Sequence, residues 1–267
     1  DPLVFIDDDF ESYTEGALGP QSDDWSTWSG TEGGAEDGIV ATGQASSGDN
    51  ALKIEGTSAQ GGAQDVLLLL GDRTDGHYYL SWEMYIAEGN AGYFNMQHTA
   101  TPGEEFAFEV LFADDGTGLL NIGSDVGFSY PQDAYFRVIM VMDQVNDIAT
   151  LNVNGSYVAS WTFSELTDGS GGTNQISSID FFPRDLNDIF YVDNVLFQQI
   201  PEATTGQYCS TALEAVEGTN VVSNNEGCFG GFLNVSTEAP SAGAGAVWYS
   251  YTPAEDGVLS VSSCDSE

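Results

Sequence analysis

"IATLNVNGSYVASWTFS" (148–164) decides the fold class, because two alternating runs of apolar residues flank Asn154-Gly155. An Asn-Gly pair accepts positive φ at both central positions of a tight turn, and the twist of that turn matches two antiparallel strands. Alternate apolar side chains then place one face of each strand against a core. The same alternation recurs in "HYYLSWEMYIA" (77–87), "FAFEVLFAD" (106–114), "YFRVIMVMD" (135–143), "SIDFFPR" (178–184) and "IFYVDNVLFQQI" (189–200), while helix-period patterns are almost absent. Linkers rich in Gly, Asp, Asn and Ser separate these runs. Together they predict an all-β, antiparallel two-sheet sandwich in which each sheet buries one face. "IPEATTGQY" (200–208) reads as a linker, so a domain of residues 1–200 is followed by a linker at 201–206 and a second segment at 207–267.

The 267 residues carry 42 Asp and Glu against 4 Lys and Arg, a formal charge of −38. A field of that sign repels phosphate backbones and anionic lipid, which disfavours nucleic acid and polybasic membrane attachment. Cations, neutral polymers and water are the partners it favours; a solvated acidic surface with no partner is the alternative reading. Scarcity of Lys also suits salty water, where repulsion between carboxylates is screened within a few ångströms. The 41% hydrophobic content is enough for a sizeable core. No apolar run is longer than that of Val66 to Leu70, which is strand-sized and far below the ~20 residues of a membrane-spanning helix. The sequence opens at Asp1, as expected after removal of a secretory signal or trimming of a longer chain.

Several segments together resemble a known family: "FIDDDFESYTEGALGPQSDDWSTWSG" (5–30), "LKIEG" (52–56), "YLSWEMYIAEGNAGYFNMQH" (79–98), "SYPQDAYFRVIMVMD" (129–143), "LNVNGSYVASWTFS" (151–164) and "FYVDNVLF" (190–197). They are similar to the concanavalin A-like, laminin-G-like jelly rolls frequent in proteins exported by the type IX system of Bacteroidetes. The resemblance implies a jelly-roll sandwich over residues 1–200, a secreted or cell-surface address, and carbohydrate binding or adhesion; taken with the acidic composition, the expected source is a marine or salt-tolerant bacterium of that group. "CSTALEAVEGTNVVSNNEGCFGG" (209–231) and "AVWYSYTPAEDGVLSVSSC" (246–264) resemble the start of pre-peptidase C-terminal-like β-sandwich modules, which implies that residues 207–267 are an incomplete second sandwich.

In many carbohydrate-binding sandwiches a first-strand "DFE" and a last-strand "DN" hold one structural Ca²⁺, which the resemblance transfers to Asp9, Glu11 and Asp193. Asp193 interrupts an apolar strand, where an unpaired charge is costly, so it is either an ion ligand or a hydrogen-bonded strand acid. The laminarinase-like enzymes of this fold carry Glu-x-Asp-x-Glu on one strand; "EFAFE" (105–109) offers Glu105 and Glu109 on one face but Ala107 between them. That departure argues against a hydrolase and for a chain without catalysis. His77 and His98 lack a partner motif and read as hydrogen-bonded or surface residues. For a glycan, exposed aromatics flanked by amides are needed. Trp82 and Trp161 lie within alternation and are assigned to the core, whereas Trp25, Trp28 and Tyr93 stand among Gly, Ser and Asp. "GYFNMQH" (92–98) reads as a strand with Tyr93, Asn95 and Gln97 on the ligand face and Phe94 and Met96 on the other.

Two roles follow: a secreted, non-catalytic module attaching an exported protein to polysaccharide or a cell surface, or a structural bead of a surface fibre or large adhesin, joined to further modules of the same protein. Cys209 and Cys228 close a Gly- and Asn-rich loop that buries little, where a disulfide removes about 3 kcal/mol of unfolded-state entropy. The resemblance implies that the partner of Cys264 lies on a strand after residue 267. Non-reducing peptide mapping is expected to find Cys209 linked to Cys228; a link from Cys264 to either one overturns this pairing.

Overall fold

The computed structural model describes residues 2–200 together with residues 213–214 and 249–250. The chain divides into two compact units, Asp1–Glu202 and Ala203–Glu267. The first is the expected two-sheet jelly-roll sandwich, all-β apart from one 3-10 turn at Gly19–Gln21.

Its nine-stranded sheet contains β1 (Leu3–Asp8), β2 (Gly16–Ala17), β4 (Ile39–Thr42), β5 (Asn50–Glu55), β7 (His77–Ile86), β12 (Phe136–Asp143), β13 (Ile148–Val153), β14 (Ser156–Thr162) and β16 (Ile189–Ile200). The order is β14-β13-β12-β7-β16-β5-β4-β2, with β1 paired to β16. The seven-stranded sheet contains β3 (Trp25–Thr27), β6 (Val66–Arg73), β8 (Gly92–Gln97), β9 (Phe106–Phe112), β10 (Thr117–Asn121), β11 (Asp125–Ser129) and β15 (Ile176–Phe181), in the order β11-β10-β9-β8-β15-β6-β3. Every pairing in both sheets is antiparallel.

The core lies between the sheets and is strongly aromatic. Trp82 of β7 meets Phe94 of β8 at 4.8 Å and Phe181 of β15 at 5.5 Å between ring centroids, both edge-to-face. Phe108 packs edge-to-face on Trp161 of β14 at 5.4 Å. Such pairs add about 0.5–1.5 kcal/mol each to the burial of their area. Trp82 and Trp161 are therefore core residues, as their alternation implied. In the second unit, β17 (Leu213–Glu214) and β18 (Tyr249–Ser250) pair in parallel. The linker at 201–206, the expected Cys209–Cys228 bond, Cys264 and the bounds of the module at 207–267 fall outside the described residues.

The hairpin joining β13 to β14 has φ +50° at Asn154 and +74° at Gly155, with Val153 facing Ser156 across the turn. Asn tolerates this region through its short polar side chain, but a Cβ at Gly155 is strained. Gly155→Ala is expected to lower stability by about 1 kcal/mol and Asn154→Gly to change it by a few tenths, both read as shifts in urea midpoint. Equal effects of the two changes would show that the turn does not hold this conformation in solution.

Candidate functional site

Strand alternation makes the site. Because Phe94, Phe108 and Phe181 point into the core, their neighbours Asn95, Glu109 and Asp180 point to the opposite face of the seven-stranded sheet. The antiparallel registers align them. Asp125 faces Asn121, Asn121 faces Glu109, Glu109 faces Asn95 and Asn95 faces Asp180, one polar row across β11, β10, β9, β8 and β15. Four strand spacings make this row about 19 Å long. It floors a cleft of about 540 Å³ walled by Trp28, Phe106, Phe182 and Leu119.

Two adjacent pairs of the row, Asn121–Glu109 and Asn95–Asp180, are hydrogen-bonded, and Tyr93 and Gln97 extend the network. Glu109 Oε1 accepts from the Tyr93 hydroxyl at 2.7 Å, and Oε2 accepts from Asn121 Nδ2 at 2.9 Å. Asn95 Nδ2 donates to Asp180 Oδ2 at 2.6 Å, and Asn95 Oδ1 accepts from Gln97 Nε2. Gln97 Oε1 in turn accepts from Gly103 N at 2.8 Å. Gly103 lies so close to Trp28 that a Cβ there would fall 2.9 Å from the indole. Trp28 stacks on Phe106 with centroids 6.3 Å apart, and its backbone N–H donates to Asp65 O at 2.9 Å. The aromatic wall is thus fixed by the same bonds that orient the polar floor. One cation enters: Arg184 lies 5.5 Å over the Tyr93 ring and is held by Asp188, which accepts from Arg184 N at 2.6 Å and from Nε at 3.2 Å.

At one end of the row Asp180 meets Asp65. Both Oδ1 atoms are buried, and neither finds a donor among the described residues. Burial raises the Asp65 carboxyl above its usual range, and burial with the neighbouring Asp65 charge raises Asp180 further. The Asp65 charge beside a buried Asp180 disfavours ionising both carboxyls, so a proton held on the pair is favoured over two charges. Tyr93 is likewise pushed up by burial and by its bond to Glu109, so it stays a donor.

The candidates read from the sequence divide among different fates. Trp28, Tyr93 and Asn95 line the cleft. Tyr93 is only 6% exposed and spends its hydroxyl on Glu109, so it belongs to the floor and not to an exposed platform. Gln97 is fully buried beneath Gly103 and supports the wall. Trp25 is a correction: it is 2% exposed, packs on Phe10 and Phe181, and donates to Asp8 Oδ2 at 2.9 Å, because β3 pairs with β6 and turns its ring inward. Glu105 and Glu109 do not share a face. The register shifts opposite Met96/Gln97, so Ala107 is an extra residue and Phe106 takes the place on the cleft face that Glu105 would otherwise hold. Glu105 instead accepts from Thr173 N at 2.8 Å. His98 is buried with Nδ1 2.7 Å from Gln175 O, and His77 Nδ1 lies 3.2 Å from Asp143.

Asp9, Glu11 and Asp193 are not gathered into a ligand set. Asp193 accepts from Ser46 N, Ser47 N and Asn194 N, and Glu11 Oε1 accepts from Asp49 N and Asn50 N. Two of the acids therefore clasp opposite ends of one loop at 46–50, while exposed Asp9 caps only Glu11 N. Among the described residues no three His, Cys, Asp or Glu side chains converge on a metal position. The acids that matter in the cleft, Asp65 and Asp180, were missed. Asp180 carried the same signal as Asp193, an acid inside an apolar strand.

No family model and no curated relative matches the sequence. Among solved structures the chain is similar to a sialidase, at 11% identity and TM-score 0.50 over 73% of this chain and 18% of that one. It is also similar to a carbohydrate esterase of the Shiga toxin-encoding bacteriophage phi24B, at 11% identity and TM-score 0.50 over 74% and 99% of the two chains. A third similar structure is a non-specific endo-β-1,3(4)-glucanase of family GH16, at 15% identity and TM-score 0.49 over 74% and 91%. The chain spans less than a fifth of the sialidase's length. These likenesses are of fold. They correct one expectation: structures sharing this fold include a sialidase and a carbohydrate esterase, so the jelly roll gives no ground for calling the chain non-catalytic.

The Asp65–Asp180 pair makes stability pH-dependent with a definite sign. Both carboxyls bind their proton more tightly folded than unfolded, so folding is favoured most below the unfolded value and loses stability as pH rises toward the raised folded values. Asp180→Asn keeps the shape and supplies an amide N–H to Asp65. Its melting temperature is expected to exceed that of the wild type at pH 7–8, with the gap closing toward pH 4. A gap independent of pH would show that the two carboxyls do not share a proton.

Proposed function

We propose that the cleft binds a glycan and that the first unit serves as the polysaccharide-attaching module of an exported protein. One observation carries the reading: the stacked Trp28–Phe106 wall stands beside the row Asp125, Asn121, Glu109, Asn95. A sugar ring presents an apolar C–H face and an equatorial belt of hydroxyls, and these need an aromatic surface and adjacent donors and acceptors. The cleft's volume of about 540 Å³ lies within the range of sites that enclose small ligands. Its wiring leaves little to reorganise, which reduces the entropy lost on binding.

The charge of the site narrows the ligand. Even with Asp180 protonated, Asp65, Glu109 and Asp125 outnumber Arg184, whose side chain is already paired with Asp188. Uronic and sialic acids would meet like charge, so a neutral polysaccharide is favoured. Among the described residues no helix is long and apolar enough to cross a membrane.

Affinity electrophoresis of the full chain against neutral glucans, mannans, xylans and galactans, with alginate and polygalacturonate as anionic controls, tests this. At least one neutral polymer is expected to retard the protein. Trp28→Ala should weaken that retardation about tenfold, the loss of ~1.4 kcal/mol of stacking. Asn121→Ala should weaken it less, since Glu109 keeps its bond from Tyr93. Retardation by none of the neutral polymers, or undiminished retardation of Trp28→Ala, would remove the glycan from the cleft.

A further inference from the structure

The cleft holds more than recognition requires. A binding floor is served by amides and single carboxylates; this one also buries two carboxyl groups against each other at the cost of their solvation. Asp180 is 3% exposed, yet it lines the cleft with an Oδ1 that has no donor among the described residues. Glu109 lies on the far side of Asn95, which faces both residues in register. Two strand spacings separate their backbones by about 9–10 Å, with both side chains on the same face. Carboxyls of an inverting glycosidase stand ~6.5–9.5 Å apart, leaving room for a water; those of a retaining enzyme stand at ~5 Å.

We propose that the cleft hydrolyses glycosidic bonds with inversion of configuration, with Asp180 as proton donor and Glu109 as base; the inference rests on the glycan reading above. Asp180 gives its proton to the glycosidic oxygen as the bond from that oxygen to the anomeric carbon breaks. A water attacks the anomeric carbon from the opposite face, and Glu109 takes the water's proton. The products are a new reducing end of inverted configuration and a free hydroxyl on the leaving sugar. Solvent then returns a proton to Asp180 and removes one from Glu109. Asp65 is a positioning residue: its charge beside Asp180 keeps the donor protonated. The charged groups around this pair are Glu36 near Asp65, Glu109 across Asn95, and Arg184 after β15.

The same neutral polysaccharides, incubated with the full chain, are assayed for new reducing ends, and the anomer first formed is read by proton NMR. A retarded polymer is expected to be cleaved with inversion. Asp180→Asn and Glu109→Gln should each slow cleavage of the bound polymer, measured at saturating polymer, by at least 100-fold with melting temperature not lowered. Asp65→Asn should move the alkaline limb of the pH–rate profile to lower pH, a shift that lost packing alone does not produce. A polymer that retards the wild type but yields no reducing ends overturns the hydrolytic proposal and leaves the binding reading standing. Retention of configuration overturns the assigned roles. If no polymer is retarded or cut, both readings fall together.

Discussion

Trp82 occupies the space between Phe94 and Phe181, and the rest of the described sandwich depends on that contact. It joins the central strand β7 of one sheet to β8 and β15 of the other. The side-chain period of a strand is two, so fixing Phe94 and Phe181 inward fixes Asn95 and Asp180 outward. The register pairs Phe94 with Phe181 and Asn95 with Asp180 across one ladder. A one-residue slip would put two polar side chains in the core and two aromatic rings in the cleft. Packing the sheets and building the site are in this sense a single act.

Charge imposes the second constraint. With 42 acidic and 4 basic residues, the chain cannot neutralise its carboxylates by ion pairs. It uses backbone N–H groups instead. Asp8 accepts from Phe10 N, Tyr13 Oη and Trp25 Nε1; Asp37 accepts from Gly19 N and Gly33 N; Asp147 accepts from Ser164 N and Oγ. Charge-assisted bonds of this kind satisfy loop donors that would otherwise be orphaned, so many acids act as fixed staples of loops. Asp193 and Glu11 belong to the same set, since both hold the loop at 46–50. Against that background Asp65 and Asp180 stand out, because neither side chain accepts a backbone N–H among the described residues and each keeps a buried Oδ1 without a donor.

The cleft shows the tension between stability and function. Asn at position 180 would satisfy every partner of Asp180 without a shared proton, and a carboxyl stands there at a cost in stability. Such locally unfavourable choices concentrate at sites that bind or react. The supporting bonds from Gln97 to Gly103 and from Asp65 to Trp28 run from the floor to the wall, so loss of either bond would loosen both.

Alternation and turn chemistry determined the fold class in the sequence alone: they place β7, β9, β12, β13, β14 and β16, give the Asn154-Gly155 turn, and assign Trp82 and Trp161 to the core. They also put Phe94 and Met96 on one face of β8 and Tyr93 and Asn95 on the other. These features are local, and local geometry carries them. Only the tertiary structure decided which residues meet. The bulge at Ala107 moved Glu105 off the cleft face, and nothing in "EFAFE" marks it, since Phe106, Ala107 and Phe108 are apolar in either register. Trp25 turned inward because β3 found β6 as its neighbour, although its own surroundings are Ser and Asp. Asp65 and Asp180 are 115 positions apart, and their contact arises from the pairing of β6 with β15. Long-range strand pairing is chosen by the whole core's packing, so the site it creates has no signature within any single segment.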